Sequence, residues 1–239
     1  MATFVLVHGS NHGGWCWERV VPLLEAAGHE VFAPSLPGMA ERAAELTPEI
    51  GLATHVDDVV SLFDDEGLEG VILVGHSYAG AVITGVAELR PERIARLVYL
   101  DAFMPDDGES VMDMEPPESR EAFLRVVREQ GDGWRVVAQE EYLERWGVTD
   151  PNDRDWVWPR LTDQPFLSCT EAVSAPNHVA RRLPRTFIDL TSPKNAGLLP
   201  STERAREEGV EMLEIATGHD AMVTEPERLA ELLEEIAAG

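Results

Sequence analysis

Basic residues are scarce in this chain: 19 Lys plus Arg stand against 44 Asp plus Glu, a formal net charge of −25. Such a surface repels polyanions at long range, so neither nucleic acid nor an anionic membrane is an expected partner. The excess acid reads as a solvated, solubilising exterior. Cysteine is nearly missing. Cys16 and Cys169 lie far apart and fit no metal-binding or redox spacing, which predicts two free thiols, no metal centre and no cysteine nucleophile. The opening "MATFVLVHGS" lacks a basic start, and its apolar run, Phe4–Val7, is too short for a signal-peptide core or a membrane span. A cytoplasmic protein is the expectation. Internal repeats and low-complexity tracts are absent too.

What is present is a composition of 44% hydrophobic and 26% charged residues over 239 positions, sufficient to build the core of one large α/β domain without requiring a second. Strand-length apolar runs alternate with helix-period segments almost from the first residue. That rhythm predicts a doubly wound, mostly parallel sheet of about six strands with helices on both faces. "TFVLV", "EVFAP", "GVILV", "ARLVYLD", "RTFIDL" and "VEMLEI" read as the strands. "WERVVPLLEAAG", "THVDDVVSLFDDEG", "SYAGAVITGVAELR", "STERAREEG" and "EPERLAELLEEIAA" read as the helices between and after them. Thr54 and Thr224 stand where N-caps are expected. The alternation breaks after Phe103. Residues 104–184, rich in Pro, Trp, Met and acid, contain helical pieces such as "SREAFLRVVREQ" but no confident strand. They read as a cap inserted into a core formed by 1–103 and 185–239.

The sharpest local signal is "VILVGHSYAGAVI", residues 71–83, where Ser77 sits between a β-branched run and a run of small helix formers. A nucleophile elbow requires that arrangement: a tight strand-to-helix turn projects the hydroxyl away from the sheet, and small residues two positions either side avoid collision. Gly75 and Ala79 meet the requirement. The competing reading, a dinucleotide-binding G-x-G-x-x-G, would place a serine where backbone must approach a pyrophosphate, and would follow the first strand rather than the third.

Serine requires a base, and in this fold the base comes late in the chain. Of seven histidines, His219 in "GHDAMVTEPERL" alone follows the last predicted strand, in a loop at its carboxyl end. Early in the chain, "LVHGSNHGGW" leaves the first strand through a glycine-rich loop. It suits an oxyanion hole formed by the backbone N–H groups of Ser10 and Tyr78. His8, His12 and His76 read as structural.

With these residues in place, "FVLVHGSNHGGWCWERVVPLLEAAGHEV", "LVGHSYAG", "LVYLDAFMP" and "GHDAMVTEPERL" resemble the α/β-hydrolase fold, specifically the plant methylesterase and hydroxynitrile lyase group and related bacterial esterases. The resemblance covers nearly the whole chain and is weakest across 105–184. It implies Ser77 as nucleophile, His219 as base, and the Ser10 and Tyr78 amides as oxyanion donors. Lyase members carry a threonine where this chain has Gly9, and a lysine where it has Asp220, so cyanohydrin cleavage is disfavoured. Plant members place their catalytic aspartate in a stretch similar to T-E-D-K, where this chain reads "TSPK", with Pro193 at the aspartate's position. The acid must come from elsewhere. Asp101, directly after "ARLVYL", is the choice, since some α/β-hydrolases such as haloalkane dehalogenases place their acid there. Asp189 is second, and Asp220 reads as a solvated loop charge.

The expected activity is hydrolysis of a small to medium hydrophobic ester through an acyl-enzyme, with no cofactor, by a monomer or homodimer. Met104, Trp134 and Trp158 are the expected substrate contacts, from a set of inserted-segment residues that also holds Trp146, Trp156, Phe166, Met112 and Met114. A non-catalytic or slow small-molecule-binding relative is the alternative.

Overall fold

A computed structural model of the chain places six strands in one parallel sheet. In chain order they are β1 (Thr3–Val7), β2 (Glu30–Phe32), β3 (Val71–His76), β4 (Ile94–Leu100), β7 (Arg185–Leu190) and β8 (Glu211–Ile215). The sheet order is β2-β1-β3-β4-β7-β8. A second ladder, β5 (Arg135–Val136) with β6 (Gln164–Pro165), is antiparallel and separate. Between β4 and β7 the chain adds no strand to the central sheet. It runs instead through α4 (Val111–Met114), α5 (Pro117–Glu129), α6 (Glu141–Arg145), α7 (Pro151–Val157) and α8 (Leu167–Thr170).

Strand alternation explains the layers. Val5, Val7, Leu73, Leu97, Tyr99 and Phe187 point to one face of the sheet, where α2 (Leu52–Asp65) and α3 (Ala79–Leu89) supply Val56, Val59, Phe63, Val82 and Val86. Phe4, Leu6, Ile72, Val74, Val98, Leu100 and Ile188 point to the other, against α1 (Val21–Ala26) and α11 (Pro226–Ala238) with Leu24, Leu229 and Leu233. A strand covered on both sides must be apolar throughout, which is why "VILV" shows no polar alternation. α9 (Leu199–Glu207) bridges β7 to β8, and a short α10 (Ala221–Thr224) precedes α11. No helix is long and apolar enough to cross a membrane.

Two capping expectations are corrected. α2 begins at Leu52 with Gly51 as its N-cap, and Thr54 lies one turn inside, its Oγ1 accepting the Gly51 N–H at 3.3 Å. α11 starts after Glu225 with no side-chain cap, because Thr224 ends α10 and shares its hydroxyl with Thr217 at 2.8 Å. "WERVVPLLEAAG" is interrupted too: a 3-10 turn at Gly14–Trp17 comes first, and α1 begins only at Val21 with Pro22 in its first turn.

The sheet order reverses direction between β1 and its neighbours β2 and β3. Open α/β sheets form their crevice at such a point, beyond the carboxyl ends of the strands. The register brings those ends level, with Val7 opposite Gly75 and His76 opposite Leu100. The residues immediately following β1, β3 and β4 therefore share one edge.

Two histidines beneath that edge are neutral by construction. His55 Nε2 donates to the Pro37 carbonyl at 3.0 Å and Nδ1 accepts the Tyr78 hydroxyl at 2.7 Å; burial pushes its pKa down to about 4. Burial likewise takes His8 down to about 3. An unfolded histidine binds a proton near pH 6.5, so between there and pH 4 the unfolded state takes up protons that the folded state refuses. This contribution is full above pH 6.5 and is lost as the pH falls, by about 3 kcal/mol for His55 alone by pH 4. A His55→Gln variant should consequently lose less melting temperature than the parent between pH 6.5 and 4. Equal losses in parallel calorimetric scans would refute the assignment.

Candidate active site

Ser77 follows β3 with φ +53°, a left-handed backbone that a serine adopts only when its surroundings impose it. They do so through three hydrogen bonds. The Ser77 N–H donates to Leu100 O at 3.2 Å, while its carbonyl accepts from Gly80 at 3.1 Å and Phe103 at 3.0 Å. The turn is tight enough that a Cβ at Gly75 would lie 2.7 Å from the Ala79 carbonyl oxygen. At Gly9 a Cβ would come within 2.8 Å of His76 Nδ1 and 2.9 Å of Ser77 Cβ, so glycine there lets the loop after β1 pass beside the serine.

That loop carries Ser10. Neither the Ser10 nor the Tyr78 amide donates a backbone hydrogen bond, and Ser10 lines the same cavity as Ser77. Two free amides, one at the start of α3, are available to an anion. Asn11, which no sequence motif singles out, holds the loop's other side. Its φ is +62°, its side chain donates to Val136 O at 3.0 Å and Thr162 O at 2.9 Å, and its N–H donates to Gln164 at 3.3 Å.

Asp101 immediately follows β4 with φ +39° and is fully buried. Its N–H is fixed to Ile188 O on β7 at 2.8 Å, and Oδ2 lies 2.7 Å from His219 Nδ1. The other oxygen, Oδ1, accepts from Lys194 Nζ at 3.1 Å. Lys194 is the only lysine in the chain. Its ammonium also contacts Asp189, whose second oxygen accepts from Arg206 at 3.1 Å. Asp189 is thus paired with two cations and makes no bond to His219.

His219 is 3% exposed, and its backbone oxygen accepts His76 Nε2–H at 2.9 Å. Gly218 lets its loop pass Trp146, since a Cβ there would fall 2.5 Å from the Trp146 carbonyl oxygen. Burial first, and then electrostatic repulsion between its ring and that of His219, hold the His76 pKa well below the usual imidazole range. Asp220 is no solvated charge. It is completely buried, with Oδ2 3.3 Å from His12 Nε2, because the loop after β8 folds inward over the site. Nothing in the sequence around Asp220 marks it as inward-facing.

Ser77 and His219 open onto one cavity of about 240 Å³, the scale of a small organic molecule rather than a polymer chain. Its apolar wall includes Phe103, Val111, Met112, Phe123 and Trp146, and its polar wall includes Glu115, Arg125, Gln139 and Arg145. The expected contacts Met104, Trp134 and Trp158 do not line it. Met104 is buried under Ser201, which accepts its N–H at 3.1 Å. Trp134 lies under the Arg135 guanidinium, and Trp158 opens a 3-10 turn at the surface, 38% exposed. Burial raises the Glu115 carboxyl above its ordinary range, and its Oε2 has no partner in the protein. Cys169 also faces the cavity, but burial pushes its thiol up to about 12. No group of three His, Cys, Asp or Glu side chains converges where it could hold a metal ion.

Comparison with known proteins agrees with this architecture. Residues 4–232 match the model of the alpha/beta hydrolase family. A carbendazim hydrolyzing esterase from a Nocardioides species is 34% identical over 249 aligned positions, covering 98% of either chain. Methylesterase 1 of Arabidopsis thaliana is 42% identical over 112 residues, 45% of this chain and 41% of that protein. Among solved structures, an extracellular alpha/beta-hydrolase from a Paenibacillus species superposes with a TM-score of 0.87 at 25% identity, covering 98% of both chains.

Proposed function

This chain belongs to the α/β-hydrolase family, and from that premise we propose that it is a serine esterase in which Ser77, His219 and Asp101 form the catalytic triad. The single observation carrying the reading is the 2.7 Å contact between His219 Nδ1 and a buried carboxylate, at a cavity onto which the strained Ser77 also opens. A carboxylate bonded to Nδ1–H keeps Nε2 as the acceptor that a hydroxyl nucleophile requires, and stabilises the imidazolium once the proton has moved.

Ser77 Oγ attacks the ester carbonyl carbon while His219 Nε2 takes its proton. The amides of Ser10 and Tyr78 hold the oxygen as it becomes an anion. His219 then returns the proton to the leaving alkoxide, and water, activated by the same ring, hydrolyses the acyl-serine. Phe103, Met112, Phe123 and Trp146 favour a hydrophobic ester of modest size. A cyanohydrin lyase is disfavoured sterically as well as by sequence, since the backbone at Gly9 has no room for a threonine beside His76 and Ser77.

The experiment is a pre-steady-state assay with p-nitrophenyl acyl esters of graded chain length, with mass spectrometry of the quenched protein. The expected result is a nitrophenolate burst and an acyl adduct on Ser77. Tight binding of the esters without burst or adduct would replace the esterase with a small-molecule-binding relative.

A further inference from the structure

Four buried histidines surround the site, and three carry the hydrogen bonds of a neutral ring. In His8, Nδ1 faces Gly9 O at 2.9 Å while Nε2 accepts the Leu36 N–H at 3.0 Å. His55 likewise has one donor and one acceptor. His76 donates from Nε2 and has no partner at Nδ1. His12 is different. Its Nδ1 lies 2.7 Å from the Ser10 carbonyl oxygen and its Nε2 3.3 Å from Asp220 Oδ2. A carbonyl oxygen and a carboxylate both only accept, so each ring nitrogen has to donate, and only the imidazolium has both protons.

We propose that His12 is held as a buried imidazolium by Asp220 and acts as a positioning residue, fixing Ser10 of the oxyanion loop to the loop that carries His219. The inference rests on the esterase reading for the role of Ser10, but the protonation of His12 stands apart from it. The ring is wedged between Trp15, with centroids 5.4 Å apart, and Trp146 at 5.0 Å, which fixes its plane. Burial lowers its pKa, but the charge and hydrogen bond of Asp220 outweigh burial, and the net direction is upward. The other titratable groups nearby do not compete. Burial keeps His8 and His76 neutral and the Cys16 thiol protonated, so the His12 cation has Asp220 as its sole counter-charge.

This arrangement predicts an alkaline limb in kcat that the Ser-His-Asp mechanism does not itself produce. Once His12 loses a proton it retains one N–H and must release either Ser10 or Asp220, which frees the oxyanion loop. In Asp220→Asn the side-chain amide can donate to Nε2 while Nδ1–H keeps Ser10, so a neutral ring satisfies both partners. That variant should lose the alkaline limb. His12→Gln, which cannot reproduce the two directions, should lower kcat by about ten- to a hundredfold with little change in KM, as for a mis-set oxyanion donor.

The test pairs these profiles with proton–nitrogen correlation spectra of the 15N-labelled protein at pH 7, with the His12 signals assigned by their disappearance in His12→Gln. Two ring protons on His12, and an alkaline limb abolished by Asp220→Asn, are expected. A one-proton ring, with the proton on Asp220 instead, would overturn the inference, as would an unchanged limb in Asp220→Asn or wild-type kcat in a folded His12→Gln. Because the spectra need no turnover, a protein that proves catalytically inert would defeat the esterase reading without touching the protonation result.

Discussion

Ser77→Ala should lower kcat by on the order of a millionfold while leaving the fold and ester binding intact, because in the proposed mechanism the hydroxyl removed is the atom that forms the acyl bond. Stability should barely change. The left-handed turn is held by backbone hydrogen bonds to Leu100, Gly80 and Phe103, none of which involves Oγ. No neighbouring group is equipped to substitute. Cys169 lines the cavity, but its thiol is pushed up to about 12 by burial and yields little thiolate at neutral pH. Ser119 also faces the cavity, on α5, but no histidine is bonded to it. Residual turnover, if measurable above spontaneous hydrolysis, should come from the oxyanion donors alone. A purified variant keeping a tenth of wild-type activity on p-nitrophenyl esters would remove Ser77 from the reaction.

The second large effect is expected at Asp101. Asp101→Asn is isosteric, yet it should reduce kcat by about ten-thousandfold, since a neutral amide neither selects the required tautomer of His219 nor stabilises its protonated form. Asp189→Asn provides the contrast. Asp189 is bonded to Lys194 and Arg206, not to His219, so its loss should affect activity far less. Reversal of that order, with near-normal turnover in Asp101→Asn, would transfer the acid's role to Asp189 and leave the 2.7 Å contact without a catalytic purpose.

The sheet was legible because its strands are buried on both faces and read as short runs rich in apolar residues: "TFVLV" and "RTFIDL" are Thr3–Val7 and Arg185–Leu190 residue for residue. The run "EVFAP" is longer than the strand it contains. β2 is an edge strand that pairs only across Glu30–Phe32, and Pro34 has no N–H to extend the ladder. The contact between Asp101 and His219 was also within reach, because strand ends in a parallel sheet share an edge and the serine's position named the edge. The cavity wall was not. Which of many Trp and Met residues face inward depends on how α4–α8 pack over the sheet, and helices that short impose no period long enough to reveal a face. Asp220 failed for a related reason: a carboxylate is ordinarily solvated, and its burial follows from a partner 208 positions earlier in the chain.

The grip on Asp101 has a consequence for motion. Its main chain is pinned to β7, one oxygen to the imidazole and the other to the ammonium of Lys194, so the carboxyl has no freedom to swing. The imidazole is clasped in turn at its ring and at its own backbone. Ser77 Oγ, by contrast, takes part in no hydrogen bond within the protein. With both carboxylate oxygens and the imidazole ring engaged, the Asp101–His219 pair is preset by the fold, and the serine side chain is the part left free to adjust.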